Sequence, residues 1–172
     1  MWCDRRQVLL LGLGFGLSGC GFRPLHKPRG SHGGIADLAF VKIDSISDRS
    51  GQLVRNELLE LFNPHGLSVQ QVYRLSVILN EAKEGLAFQK DDSVTRFNLR
   101  LLGEFILRDE RVDTAVLTGR SRAIAAYNVV QSDYANLIAE RDARKRAASN
   151  IARDIATRVS IFFSRLREEG AG

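Results

Sequence analysis

The sequence predicts an α+β fold of order β-α-β-β-β-α, a two-layer sandwich with two helices packed on one face of a four-stranded mixed sheet. Three observations lead there. Apolar residues recur at helical spacing in two stretches, near 50–63 and 132–167. Between these stretches the pattern becomes period-two alternation. That alternation leaves one face apolar and the other wet, as in an antiparallel sheet covered on a single side.

The elements follow in order. Leu38-Ala39-Phe40-Val41-Lys42-Ile43 is a strongly apolar run and reads as the first strand. Val54, Leu58, Leu61 and Phe62 form a helical stripe that Leu53 and Leu59 widen. Ser50 or Asp48 is positioned to cap this helix, and Asn63-Pro64-His65-Gly66 stops it. Tyr73, Leu75, Val77 and Leu79 face one way in a second strand that ends near Glu84-Gly85. Phe97, Leu99, Leu101, Phe105 and Leu107 continue the apolar face on a third, opposite Arg96, Asn98, Arg100 and Glu104. Lys90-Asp91-Asp92-Ser93 and Asp109-Glu110-Arg111-Val112-Asp113 are the hairpin turns. The fourth strand, about 115–128, carries Gly119, Ser121, Ala123 and Ala125 on one face, small enough for a helix to lie close.

The last helix runs from Ser132 or Asp133 to Arg167. Ala148, Ala152, Ile155, Val159, Phe162 and Leu166 form its stripe, with Ile151 and Phe163 beside them. Carried backwards, the same face meets Arg141, Arg144 and Lys145 before Ile138, Leu137 and Tyr134 resume it. Three readings stand: the helix bends near 141–146, its middle leaves the sheet and the long side chains snorkel to water, or this is a solvated charged patch with Glu140 and Asp142.

Ahead of this domain lies a different kind of sequence. Arg5 and Arg6 precede the apolar run Val8–Leu17, the charge and core order of a secretory signal. Ten such residues rise about 15 Å as a helix, roughly half a bilayer core, too short to span. Leu17-Ser18-Gly19-Cys20 matches a lipobox: the Cys20 thiol takes diacylglycerol, cleavage falls before it, and the freed amino group is acylated. Several acyl chains at about 0.8 kcal/mol per buried methylene make a lasting anchor. The general secretory route fits better than twin-arginine export, since paired arginines are common ahead of such cores. Gly21 stands where an Asp would signal inner-membrane retention, which favours the outer membrane.

The expected organisation is therefore 1–19 as a cleaved signal, 20–34 as lipidated N-terminus and flexible tether, 35–167 as one domain and 168–172 as a tail. Losing Asp4, Arg5 and Arg6 takes the formal charge from +5 to +4 and leaves 153 residues, enough for one core. Cys3 leaves with the signal and Cys20 carries lipid, so the domain has no disulfide and must hold by packing. The small basic excess does not argue for nucleic acid, and none is expected as partner.

No catalytic constellation appears, and no enzyme activity or cofactor is expected. Gly12, Gly14 and Gly16 imitate a dinucleotide fingerprint inside the signal, without its strand or acidic partner. His26, His32 and His65 lack the spacing of metal ligands, so no metal is expected. The candidate binding surface is instead the wet sheet face, where Arg74, Arg96, Arg100, Arg120 and Arg122 gather, suited to phosphates or a polar partner wall.

Three features resemble the LptE family of lipopolysaccharide-assembly lipoproteins: the lipobox running into Gly21-Phe22-Arg23-Pro24-Leu25, the element order at this length, and Ala125-Ala126-Tyr127-Asn128 followed by Tyr134 to Ala143 (YANLIAERDA). The resemblance covers essentially the whole chain. It implies a lipoprotein at the inner leaflet of the outer membrane that plugs the β-barrel LptD, helps it assemble, and helps deliver lipopolysaccharide to the surface. The alternative from another class is a lipoprotein adaptor of a different envelope complex that does not bind lipopolysaccharide.

Overall fold

The computed structural model describes residues 37–64, 66, 69–88 and 94–170. The lipobox with Cys20, all three histidines and the Lys90–Ser93 turn lie outside the described residues. The element order is the expected one: β1 (Val41–Ile43), α1 (Asp48–Phe62), β2 (Tyr73–Phe88), β3 (Val94–Asp109), β4 (Thr114–Asn128) and α2 (Asp133–Gly170). The strands form one mixed sheet in the order β1-β2-β3-β4. β1 runs parallel to β2, and the other pairings are antiparallel.

Between the irregularities near Gly85 and Arg108, register puts the odd-numbered residues of β2, β3 and β4 on the same side. Leu75 pairs with Leu107, Val77 with Phe105, and Leu101 with Ala123. These apolar positions are buried, with Leu75, Leu99, Leu101 and Leu107 fully so. The small residues of β4 do what their size predicts. Ser121, Ala123 and Ala125 are buried, and Gly119 leaves room for its cross-strand neighbour: a Cβ there would sit 2.6 Å from Phe105 Cζ. Gly103 similarly takes Ile151 of α2, whose Cγ2 lies 3.4 Å from where a Cβ would be.

Four local expectations change. The apolar run 38–43 yields a strand of three residues, because Phe40 N–H bonds back to Asp37 O (3.2 Å) and the chain turns before it reaches the sheet. β2 continues past Gly85 to Phe88, absorbing register shifts at Gly85/Ala87 and Ala87/Phe88. Neither Ser50 nor Asp48 caps α1; Ser47 occupies that place without a side-chain bond, and the Ser50 hydroxyl is given to Glu81 instead. The buried stripe of α2 is also rotated from the expected one. It comprises Ala143, Ala147, Ala148, Ile151, Ala152, Ile155, Ala156, Val159 and Phe163, while Leu166, Leu137, Ile138 and Tyr134 are exposed. Alanines dominate that stripe because α2 packs between β3, β4 and α1, where larger side chains would hold the layers apart.

Candidate functional site: the open sheet face

Because both helices cover the odd face, nothing among the described residues covers the even face of the sheet. Every arginine singled out from sequence stands on it, at even positions: Arg74 on β2, Arg96 and Arg100 on β3, Arg120 and Arg122 on β4. Register brings them together in rows. Arg122 stands beside Leu102 and Asn80, Arg120 beside Glu104 and Ile78, and Arg100 between Ala82 and Ile124. With Lys42 and Arg108, these cations face Glu84 and Glu104 as the acids at described even strand positions.

The cations are not equivalent. Arg120 Nε contacts Glu104 (2.9 Å) in the open, where such a pair contributes little and yields readily to another anion, whereas Arg100 Nη2 contacts Glu84 (2.8 Å) in a half-buried place. Arg74 is held by Asp44 (3.4 Å) and by Glu110 at the sheet's end. Among the described residues no acid is placed against Arg96 or Arg122. A shallow recess of about 310 Å³ opens next to Arg122, lined by Leu102, Gly103, Glu104, Arg120, Ser121 and Arg122.

The face is also less polar than alternation alone predicts. Ile78 is 74% exposed, and Leu102, Ile106 and Ile124 are exposed with it. Their rows interleave, so an apolar band crosses the strands between the arginines. A signal was present in the runs Leu101-Leu102 and Phe105-Ile106-Leu107, where alternation fails and an apolar residue falls on each face. Such a surface suits an amphiphile or an amphipathic wall better than a purely ionic partner.

The charged stretch of α2 has a different role, on the covered side. Arg144 turns down onto β2, its guanidinium donating to Glu81 (2.9 and 3.1 Å to Oε1) and to Glu140 (2.9 Å). Glu140 also accepts from Lys83 (2.7 Å) and the Tyr127 hydroxyl (3.2 Å). The Lys83 ammonium lies 4.5 Å from the Phe97 ring centroid, and Phe97 stacks on Tyr127 at 5.7 Å. The hydrogen bond from Lys83, opposed by burial and joined by that from Arg144, holds the Glu140 carboxyl down at about 2. At Glu81 burial works against the charge, but the bonds from Arg144 and Ser50 outweigh it and keep the carboxyl below its ordinary range. Of the three readings of 141–146, the snorkelling one fails for Arg144, whose side chain is 17% exposed. Arg141 and Lys145 do point to water.

Among the described residues no group of histidines, cysteines and carboxylates is arranged to hold a metal. No helix among them is long and apolar enough to cross a membrane.

A family model described as LptE, lipopolysaccharide-assembly, matches residues 38–159, which is the sandwich from its first turn to the last third of α2. The chain belongs to the LptE family. Comparison with curated protein sequences returns no match. Solved structures share the fold. A putative lipoprotein from Caulobacter crescentus is 22% identical with a TM-score of 0.63, over 76% of this chain and 96% of that one. A lipoprotein B from Nitrosomonas europaea is 15% identical with a TM-score of 0.56, over 81% and 92%. A minor lipoprotein from Acinetobacter baumannii is 18% identical with a TM-score of 0.55, over 70% and 90%. In this LptE-family chain, one sheet face is left bare by the described residues, basic and apolar together.

Proposed function

We propose that this LptE-family protein is an outer-membrane lipoprotein that plugs the LptD β-barrel, assists its assembly and helps deliver lipopolysaccharide to the cell surface. Family membership over residues 38–159 carries the reading. Cys20, acylated on sulfur and on its amino group after cleavage behind Leu17-Ser18-Gly19, anchors the domain on the periplasmic side. Residues 20–34 are its tether, 35–167 its folded domain and 168–172 its tail, the first three residues of which continue α2 as helix. The compact one-faced sandwich suits a polar barrel lumen. Its open face suits lipopolysaccharide in particular: Arg96, Arg100, Arg120 and Arg122 for phosphates, the isoleucine and leucine band for acyl chains.

The deciding experiment is purification of the tagged, lipidated protein from membranes in mild detergent. A large outer-membrane barrel should accompany it, and depletion should lower surface lipopolysaccharide. Recovery of a different envelope complex, with surface lipopolysaccharide unchanged on depletion, would overturn the reading in favour of an adaptor. The anchor has its own check: Cys20→Ala should abolish acyl labelling and leave the signal uncut.

A further inference from the structure

Among the described residues the sheet has an uncovered edge as well as an uncovered face. β4 is the last strand and nothing among the described residues pairs with its outer side. Which backbone groups look outward follows from the ladder. Val129 N–H bonds to Thr95 O (2.9 Å), so in this antiparallel register the odd residues of β4 turn their N–H and C=O groups to β3. The even residues turn theirs away. Ala126 shows it, since its carbonyl accepts from Arg146 of α2 (3.3 Å), which closes that end of the edge. From Thr118 to Ile124 the outward groups of Thr118, Arg120, Arg122 and Ile124 have no partner among the described residues. The stretch pairs regularly with β3, and the ladder's irregularity lies outside it, at Leu107/Arg108. It also contains no proline.

Such an edge is a template for another strand unless it is blunted. Here the two arginines select what can pair. A strand added to β4 places its side chains about 4.5–5.5 Å from Arg120 and Arg122 on the open face. Arg120 holds a single exposed acid and no acid is placed against Arg122, so carboxylates at alternate positions of the incoming strand are favoured. A second copy is disfavoured by the same residues. Antiparallel pairing of β4 with itself over this stretch sets arginine against arginine. The opposite edge of the sheet is already occupied at its start, where β1 pairs with β2 and Asp44 N–H bonds to Leu75 O (3.0 Å).

We propose that the β4 edge from Thr118 to Ile124 is a strand-addition site for an extended acidic segment of a partner protein. Backbone hydrogen bonds give the affinity, and Arg120 and Arg122 give the preference for acid. This goes beyond the lipopolysaccharide reading and does not depend on it.

The test uses the full chain in mild detergent, without lipid or barrel, and a nine-residue peptide alternating Glu and Val as probe. The controls are a Lys/Val peptide of the same pattern and a Glu/Val peptide N-methylated at alternate amides. Residue-resolved amide exchange is read by NMR. The acidic peptide should slow exchange at Thr118, Arg120, Arg122 and Ile124 at least tenfold, while the N-methylated peptide should not. The lysine peptide should bind at least tenfold more weakly, and Arg120→Glu with Arg122→Glu should reverse that order. The proposal is overturned by binding that leaves these amides unprotected, by equal binding of the lysine peptide, by no binding, or by protection that arises from a dimer of the protein alone. Because the assay contains neither barrel nor lipopolysaccharide, its failure leaves the assembly reading untouched, and the converse holds for the purification experiment.

Discussion

Glu140 shows how much one side chain can gather in this fold. It accepts from Lys83, Arg144 and Tyr127, joining β2, β4 and the start of α2. Its carboxyl stays ionised to about pH 2 in the folded protein, against an ordinary value of 4.5. A carboxylate with a depressed folded value stabilises fully above its unfolded value and loses that contribution as pH falls through the folded one. The contribution of Glu140 is therefore complete at neutral pH and fades between about 4.5 and 2. Glu140→Gln should cost about 1–2 kcal/mol at pH 7, since it weakens charge-assisted bonds in a part-buried place. Thermal unfolding of both proteins at pH 7, 4 and 2.5 checks this. The gap should narrow as the solution becomes acidic, and a constant gap would mean that shape, not charge, holds the cluster.

Gly51 makes a second point at this scale. It lies buried within α1, where alanine ordinarily favours the helix by about 0.8–1.0 kcal/mol. A Cβ here would stand 2.8 Å from the Ile46 carbonyl oxygen and 2.7 Å from its side chain. Backbone cannot yield as a side-chain tip does. Gly51→Ala should therefore lower stability, by about 1–3 kcal/mol, the range for overpacking. Denaturant unfolding that showed a gain would place the chain before α1 further away than it stands here.

At the scale of elements, α2 separates what sequence periodicity reveals from what it hides. The helix itself, its length and the central positions Ala148, Ile151, Ala152, Ile155 and Val159 were legible, because a repeat of three and four residues survives wherever the partner surface is continuous. The two ends were not. At its beginning, Tyr134, Leu137 and Ile138 have the right spacing yet stand in the open, Tyr134 at 75%. Periodicity reports a consistent face of the helix but cannot say where the opposing surface stops. Arg144 escaped for a related reason: its acceptor Glu81 lies 63 residues earlier on an apolar-facing position of β2, a pairing that exists only once the sheet has formed. The open face was likewise half legible. Alternation put the arginines on it, but Ile78, Leu102 and Ile124 were absorbed into neighbouring apolar runs. Paired alanine substitutions test the division along α2. Ile155→Ala should cost about 2–5 kcal/mol, whereas Leu137→Ala should stay within roughly 0.5 kcal/mol. Similar losses for the two would show that the beginning of α2 is packed after all.

For the whole molecule, the one-sided build has a consequence that a two-sided sandwich would not share. All of the apolar core lies between the helices and the odd face, so the even face can change without touching it. Ile78 and Ile124 are exposed apolar residues in the middle of that face, and replacing both with aspartate removes little buried area and puts two acids among arginines. Stability should move by no more than about 1 kcal/mol in total, or roughly 2–4 °C in Tm for a chain of this size. Binding should behave otherwise. Two carboxylates on an apolar band repel phosphate and oppose contact with acyl chains, so the double variant should lose most of its affinity for lipopolysaccharide micelles and, if the same face meets the barrel wall, its co-purification as well. The substitutions thus uncouple folding from partnership, which helix-side changes such as Ile155→Ala cannot do. Circular dichroism melts alongside pull-down of the lipidated double variant would decide it. A folded variant that still binds lipopolysaccharide at native strength would remove the open face as the contact surface and turn attention to the exposed start of α2.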